Sequence, residues 1–380
     1  MSLTQAVKNE AHRLGFQLVG VTTPDPAPHV AIFEDWLREG YHGEMGYLAT
    51  ERSRQRRADP RQILPECRSI LVLGIRYPAP VTFQSATDTV PLGRVASYAW
   101  GDDYHDVLLQ RLGAVVEFIE EHVGHPVANR WYTDTGPILE RDLAQRAGMG
   151  WIGKNTCLIH PRLGSYFFLA EVFLGIELEV DTPFVSDFCG TCTRCLDACP
   201  TSCILADRTL DAKRCISYLT IELKGGVPSG LRSLLGDWVF GCDICQQVCP
   251  WNQRFATADG DQAFYPRPAL PHPDLLEELA LSPQAFNRKF KRSPLKRAKR
   301  RGYLRNVAIA LGNAGGENAV PALVEALVEN PEPLVRGHAA WALGKIGGDA
   351  AGRALEAATH NEKDTTVMAE IHQALAYIDD

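Results

Sequence analysis

Nine of the eleven cysteines fall between Cys189 and Cys249, and their spacing is that of iron–sulfur ligands. The first run reads Cys189-x2-Cys192-x2-Cys195-x3-Cys199-Pro200; the second reads Cys242-x2-Cys245-x3-Cys249-Pro250, with Cys215 upstream. In the first pattern three thiolates hold one [4Fe–4S] cube and the fourth reaches a second. The x2 steps wrap a short loop around one cluster face, and the x3 step before proline turns the chain away. Applied here, cluster one takes Cys189, Cys192, Cys195 and Cys249, and cluster two takes Cys199, Cys215, Cys242 and Cys245. Two cubes imply one-electron traffic and a redox protein.

Other uses of these thiols fit less well. A disulfide framework needs an oxidising compartment, and the start, Met1-Ser-Leu-Thr-Gln-Ala-Val-Lys, lacks the apolar core of an export signal. Two structural zinc sites could take eight thiolates, but zinc does not call for the crossed pattern twice. Cys203, Cys67 and Cys157 have no place in the two sets and read as small buried apolar residues. Cys157 has the alternative of lying near a cofactor.

These ligands need elements to hold them. The 380 residues, 45% hydrophobic and 22% charged, suit a water-soluble protein of two or three domains. No stretch approaches the ~20 apolar residues of a membrane span, so a cytoplasmic protein is expected. The most apolar run, Tyr166 to Glu177, carries Glu171 and Glu177 and reads as core. Residues 1–180 read as an α/β domain. Its expected elements are a helix over 6–14, a strand at 17–21, a buried strand at 69–75 between Pro65 and Pro78, helices at 108–122 and 138–147, and a strand or strand pair over 166–180. Residues 181–255 form the cluster module, ferredoxin-like, with a helical insert over 210–236 broken at Gly225-Gly-Val-Pro. A proline-rich connector, Pro266-Arg-Pro-Ala-Leu-Pro-His-Pro, marks the next boundary.

Residues 256–380 combine a basic segment with a repeat. Asn306-Val-Ala-Ile-Ala-Leu-Gly-Asn-Ala-Gly-Gly recurs as His338-Ala-Ala-Trp-Ala-Leu-Gly-Lys-Ile-Gly-Gly. Each copy reads as two short helices about a glycine turn, with small residues letting helices approach, as in HEAT-type repeats. Two such units are too few to stand alone and should pack on the rest of the protein. The net charge is −7, yet ten bases and no acid lie between Arg288 and Arg305. A block of one sign repels itself unless a polyanion meets it. Nucleic acid is therefore the expected partner, with Phe290 and Tyr303 as stacking surfaces; an acidic protein surface or an unpaired solvated block is the alternative. No G-x-G-x-x-G opens a helix, and Gly150-Trp-Ile-Gly-Lys-Asn-Thr lacks the glycine spacing of a phosphate loop.

Several long motifs together resemble the epoxyqueuosine reductases. They are Asp134-Thr-Gly-Pro-Ile-Leu-Glu-Arg, Gly148-Met-Gly-Trp-Ile-Gly-Lys-Asn-Thr, the two cysteine runs, Arg214-Cys-Ile-Ser-Tyr-Leu-Thr-Ile-Glu, Gly241-Cys-Asp-Ile-Cys-Gln-Gln-Val-Cys-Pro-Trp-Asn and the terminal repeats. The resemblance spans essentially the whole chain. It implies an enzyme with cobalamin and two [4Fe–4S] clusters that reduces epoxyqueuosine to queuosine at the wobble position of tRNA anticodons. On that resemblance Asp134 is the proton donor, against the plain alternative of a turn or helix cap. Arg57, Lys154, Asn155, Ser217 and Asp243, with Asp134, are the residues expected around the cobalamin. Lys224, Lys289, Lys296, Arg297, Lys299 and Arg300 are the expected tRNA contacts. An external electron donor, no membrane and a monomer complete the expectation. The rivals are a reductase of another substrate, like a reductive dehalogenase, and a non-catalytic ferredoxin-type electron carrier fused to a helical adaptor.

Overall fold

The apolar run flanked by Pro65 and Pro78 becomes an inner strand of an antiparallel sheet in the computed structural model, which describes residues 1–80 and 90–379. The described chain groups into two compact units that cut across the three stretches read along the sequence. The first comprises residues 1–80, 101–213 and 244–265; the second comprises 90–100, 214–243 and 266–379.

In the first unit the sheet is built from β1 (Leu18–Thr22), β2 (Ser69–Arg76), β3 (Asn129–Tyr132) and β4 (Phe167–Leu174) in the order β1-β2-β4-β3. Every pairing is antiparallel, so the α/β domain expected from sequence has helices on an antiparallel sheet. The inner strands β2 and β4 are buried along almost their whole length, which explains their near-continuous apolar runs. The run expected to be a strand or strand pair over 166–180 is the single strand β4. The register sets Glu171 of β4 between Val72 of β2 and Tyr132 of β3.

Three helices accompany the sheet: α1 (Leu3–Arg13), α2 (Tyr104–Val123) and α3 (Glu140–Arg146). The Asp103 side chain caps α2 by accepting the His105 N–H, and Gly124 ends the helix in the left-handed region. Leu143 and Ala144 of α3 bury against Ile70, Val72 and Phe173; fully burying a side chain of this size contributes roughly 1.5–3 kcal/mol. That packing fixes the start of α3, and with it Glu140, beside β4.

The second unit begins its longest segment at Pro266, where the proline-rich connector starts. It holds a short parallel strand pair, Arg94–Val95 with Trp238–Phe240, and the helical repeats. These are α4 (Lys299–Ala314), α5 (Val320–Glu329), α6 (Pro333–Ile346), α7 (Asp349–Thr359) and α8 (Thr365–Asp379). The aligned copies are the pairs α4/α5 and α6/α7, with prolines in the first turns of α5 and α6 and glycines closing α4 and α6. Leu304, Val307, Leu311, Leu323, Val335, Leu343 and Ile371 share one core with Val239, Phe240, Phe286 and Leu295. The repeats therefore rest on other elements of their own unit, as two copies must. The insert over 210–236 is α-helical at Ile216–Ile221 and Ser229–Arg232, with single 3-10 turns at Ala212–Arg214 and Ser233–Leu235. Among the described residues no helix is long and apolar enough to cross a membrane.

Two expectations about the basic segment are corrected. Phe290 and Tyr303 are not stacking surfaces: both are fully buried and pack on Phe286. Arg305 is also fully buried, donating to the carbonyls of Leu219, Leu223 and Gly225. A guanidinium with five donors can satisfy three carbonyls at a turn, and it is used here as a structural bolt.

Candidate active site

Asp134 lies two residues past the end of β3. Tyr132 is paired to Glu171, and the Thr133 hydroxyl donates to the Leu169 carbonyl at 2.8 Å, so the strand is held to its last residue. Asp134 then adopts a left-handed backbone, φ +57°, a conformation that costs a non-glycine residue energy unless its surroundings impose it. They do. Its N–H donates to Glu140 Oε1 at 2.5 Å, and its Oδ2 accepts the Tyr104 hydroxyl at 2.5 Å. The buried Arg57 donates to the Ser53 hydroxyl and carbonyl and reaches the Gly136 carbonyl at 3.5 Å, bracing the same turn. The Asp134 side chain itself is 64% exposed.

The surroundings of that carboxylate are aromatic and acidic. Tyr104 stacks on Phe168 at 4.3 Å, and His105 stacks on Tyr104 at 4.0 Å. His105 Nδ1 bonds to Asp103 Oδ1 at 2.7 Å, which leaves Nε2 3.8 Å from Asp134 Oδ2. Glu140 keeps some exposed surface, yet its carboxyl is enclosed; burial, then the charge of Asp134, push it up to about 8. Glu171 is completely buried with no hydrogen-bond partner for either oxygen, and burial holds it well above the carboxylate range. Tyr104, His105, Glu140 and Glu171 were not singled out for chemistry from sequence. Glu140 lies inside the motif that begins at Asp134, and Glu171 is a lone acid in an apolar strand; those were the available signals.

Elsewhere in the first unit, four thiols line one cavity of about 250 Å³: Cys189, Cys192, Cys195 and Cys249, the set assigned to cluster one. The Cys192 N–H closes a turn on the Cys189 carbonyl, and Cys249 caps the helix Pro250–Phe255. Trp151 Nε1 donates to Cys189 Sγ at 3.4 Å, the kind of hydrogen bond that tunes a cluster thiolate. Burial, then neighbouring Cys189, push Cys195 up to about 11. Crowded thiols of this kind become thiolates when bound iron supplies positive charge, so the cavity fits a cube. The thiols stand around the space; among the described residues no three metal-ligating side chains gather tightly enough for a single ion. A cube takes one thiolate at each iron.

Lys154 closes this wall, donating to the carbonyls of Gly190 at 2.7 Å and Cys192 at 3.0 Å. The buried Asn155 donates to the Cys245 carbonyl at 3.4 Å. Cys203 is buried as expected but not inert: its sulfur lies 3.4 Å from Cys199 Sγ and, as the main cause, holds Cys199 down at about 5. Cys67 is a plain buried thiol, and Cys157 is partly exposed. Cys199 and Cys245 belong to the first unit and Cys215 and Cys242 to the second.

In the second unit Asp243 is buried, its Oδ2 accepting the Ser97 N–H at 2.7 Å, and burial pushes it up to about 6. Ser217 lies partly exposed in the helix Ile216–Ile221. Lys296 and Lys299 are exposed. Lys289 pairs with Glu278, Arg297 makes a two-point pair with Glu222 at 2.8 and 3.0 Å, and Arg300 donates to the Leu281 carbonyl. Lys224 bonds to the Ile221 carbonyl; burial lowers it most, the charge of Glu222 opposes that, and the charges of Arg297, Arg305 and Lys299 add to the lowering. The structure thus brings Lys224 alongside the basic segment, from which it is some seventy residues distant in sequence.

Three family models match: a 4Fe-4S double cluster binding domain over residues 188–252, epoxyqueuosine reductase QueG over 57–135, and HEAT repeats over 295–376. The epoxyqueuosine reductase of Pseudomonas aeruginosa is 42% identical over 346 residues, 91% of this chain and 95% of that protein. That of Escherichia coli K12 is 40% identical, covering 90% and 89%. A crystal structure of epoxyqueuosine reductase with an epoxyqueuosine-modified tRNA-Tyr stem loop superposes with a TM-score of 0.92 at 33% identity, over 100% of this chain and 99% of that one. The Bacillus subtilis enzyme, solved with its catalytic aspartate loop swung out of the active site, gives 0.90 at 33% identity over 99% of both chains. Matched at this identity over nine-tenths of its length, the chain belongs to the epoxyqueuosine reductase family of oxidoreductases.

Proposed function

We propose that this protein reduces epoxyqueuosine to queuosine in the anticodon of tRNA, with Asp134 as proton donor to the epoxide oxygen. The observation that carries the reading is the Asp134 turn. An exposed carboxyl is held in a strained backbone by Tyr104 and Glu140, in the same unit as a four-thiol cavity fit for a cube. Opening an epoxide to an alkene takes two electrons and two protons and releases water. The oxygen leaves poorly as an anion, so a positioned acid is required. Electrons arrive one at a time from an external donor through the two clusters, the second held by Cys199, Cys215, Cys242 and Cys245.

Cobalamin, when bound, supplies a cobalt centre that turns single electrons into reduction at carbon. Its amide-bearing ring and phosphate tail suit N–H donors. Arg57, Lys154 and Asn155 have this chemistry, and by inventory Lys154 spends two of its three N–H groups on carbonyls and retains one. Ser217 and Asp243 complete the proposed set. The tRNA backbone is met by Lys224, Lys289, Lys296, Arg297, Lys299 and Arg300, and the substrate places the enzyme in the cytoplasm.

The test is anaerobically reconstituted protein given an epoxyqueuosine-containing stem loop. Asp134→Asn is expected to retain iron and stem-loop binding while queuosine formation falls by ~10²–10⁴. Conversion at the wild-type rate in that variant returns Asp134 to a turn residue.

A further inference from the structure

Behind Asp134 lie two acids that the reaction as described does not use. Glu171 sits on an inner strand between Val72 and Tyr132, with no exposed surface and no partner for either oxygen. An orphan of this kind calls for an explanation. The contrast is Asp142 in the first turn of α3, also buried, which has charged partners in His29 and Arg146. Glu140, at the start of that helix, spends Oε1 on the Asp134 N–H. Burial is the largest influence on each; after it Glu171 feels the charges of Glu140 and Asp134, and Glu140 those of Asp134, Arg141 and Arg57. Burial holds Glu171, which no cation offsets, as the acid, and it outweighs the opposing pull of Arg141 and Arg57 on Glu140, because stripping water from the anion is costly.

Stoichiometry supplies the use. Resting on the reading of Asp134 as donor, each turnover breaks two C–O bonds, forms one C=C bond and one water, and consumes two electrons from the external donor and two protons. Asp134 carries only one of those protons. We propose that Glu140 and Glu171 form an acid pair behind the Asp134 turn, with Glu140 as the positioning residue that fixes its backbone and the pair as the store that reprotonates its carboxylate. The proton passes from the pair to the Asp134 anion, leaving the charge on the pair until solvent refills it. Glu140→Gln keeps an acceptor for the Asp134 N–H but holds no exchangeable acid, so it separates positioning from storage.

Infrared spectra of the full, anaerobically reconstituted wild type test the store without turnover. A carboxylic-acid carbonyl band is expected at neutral pH, its Glu140 part lost as pH rises through about 8 and the whole band missing from Glu140→Gln/Glu171→Gln. Its absence from wild type at neutral pH overturns the proposal. In kinetics, Glu171→Gln, nearly the same shape and breaking no hydrogen bond, should lower kcat by up to ~10² with KM for the stem loop and iron content unchanged. Wild-type kcat should fall above about pH 8, whereas Glu140→Gln starts lower and stays flat. Variants that keep the wild-type kcat and its alkaline fall sink the store. The two readings fail differently: an active Asp134→Asn refutes Asp134 as donor and the store with it, whereas an inactive Asp134→Asn beside Glu140→Gln and Glu171→Gln variants of wild-type kcat keeps the donor and refutes the store alone.

Discussion

Tyr104 holds the Asp134 carboxylate by a single hydroxyl and is itself fixed by stacking on Phe168. Tyr104→Phe preserves the stack and removes the bond. A hydrogen bond to a charged acceptor is worth enough to expect a loss in kcat of about tenfold, with the circular dichroism spectrum and KM unchanged. Loss of KM alone would make Tyr104 a substrate contact instead. The acid pair also leaves a mark on stability. Glu140 binds its proton more tightly folded than unfolded, so the fold loses stability as pH rises from the ordinary carboxylate range and the loss ends above about 8. Glu171 is raised too and acts in the same direction. In thermal unfolding, Glu171→Gln should therefore gain on wild type steadily as pH rises; a difference independent of pH would mean that Glu171 is not protonated by the fold.

Helix packing in the repeats turns on two glycines at equivalent positions. A Cβ on Gly312 of α4 would lie 2.9 Å from Ala342 Cα, and one on Gly344 of α6 would lie 2.7 Å from Ala374 Cα. Backbone cannot yield as a side-chain tip can, so Gly312→Ala and Gly344→Ala should each cost about 1–3 kcal/mol. Gly352 in α7 meets nothing within 4 Å, and Gly352→Ala should stabilise by roughly 0.5–1 kcal/mol through helix propensity. Urea unfolding of the three variants decides it, and equal signs would refute the packing argument. The repeat and its small residues were legible because adjacent copies print the same close approach twice. The inner strands were legible because burial on both faces leaves a continuous apolar run. β3 was not, since Asn129–Tyr132 is short, polar and partly exposed, and its place is fixed by β4. Cysteine spacing carried Cys189, Cys192 and Cys195 to a single cavity, because those three thiols are local in sequence, and the crossed pattern brought Cys249 to it from the second run. The acids behind Asp134 were hidden for the opposite reason: Glu171 reaches the site only through strand register, which spacing does not reveal.

At the scale of the whole molecule, charge is segregated: a net −7 contains a run of ten bases. Folding then sorts that run. Arg305 is lost to the interior, Lys289 and Arg297 are paired with Glu278 and Glu222, and Lys296 and Lys299 remain exposed. Lys224 joins them from a distant part of the chain. A phosphate backbone docking here releases a counterion for each cation it meets, so affinity should fall steeply with salt. The exposed Lys296 and Lys299 dominate that slope; the cations paired with Glu222 and Glu278 contribute less, since those acids already neutralise them. Replacing Lys224, Lys296 and Lys299 together by alanine should reduce the slope of log affinity against log salt by up to about three, one per phosphate contact. Arg297→Ala alone should change it by less than one of these lysines. Fluorescence anisotropy of a labelled anticodon stem loop across a salt series measures both, and turnover at saturating stem loop should be unaffected, because these lysines are assigned to binding alone. A triple variant whose slope matches wild type would show that the exposed lysines are a solvated face, and that the anticodon arm is held by other residues.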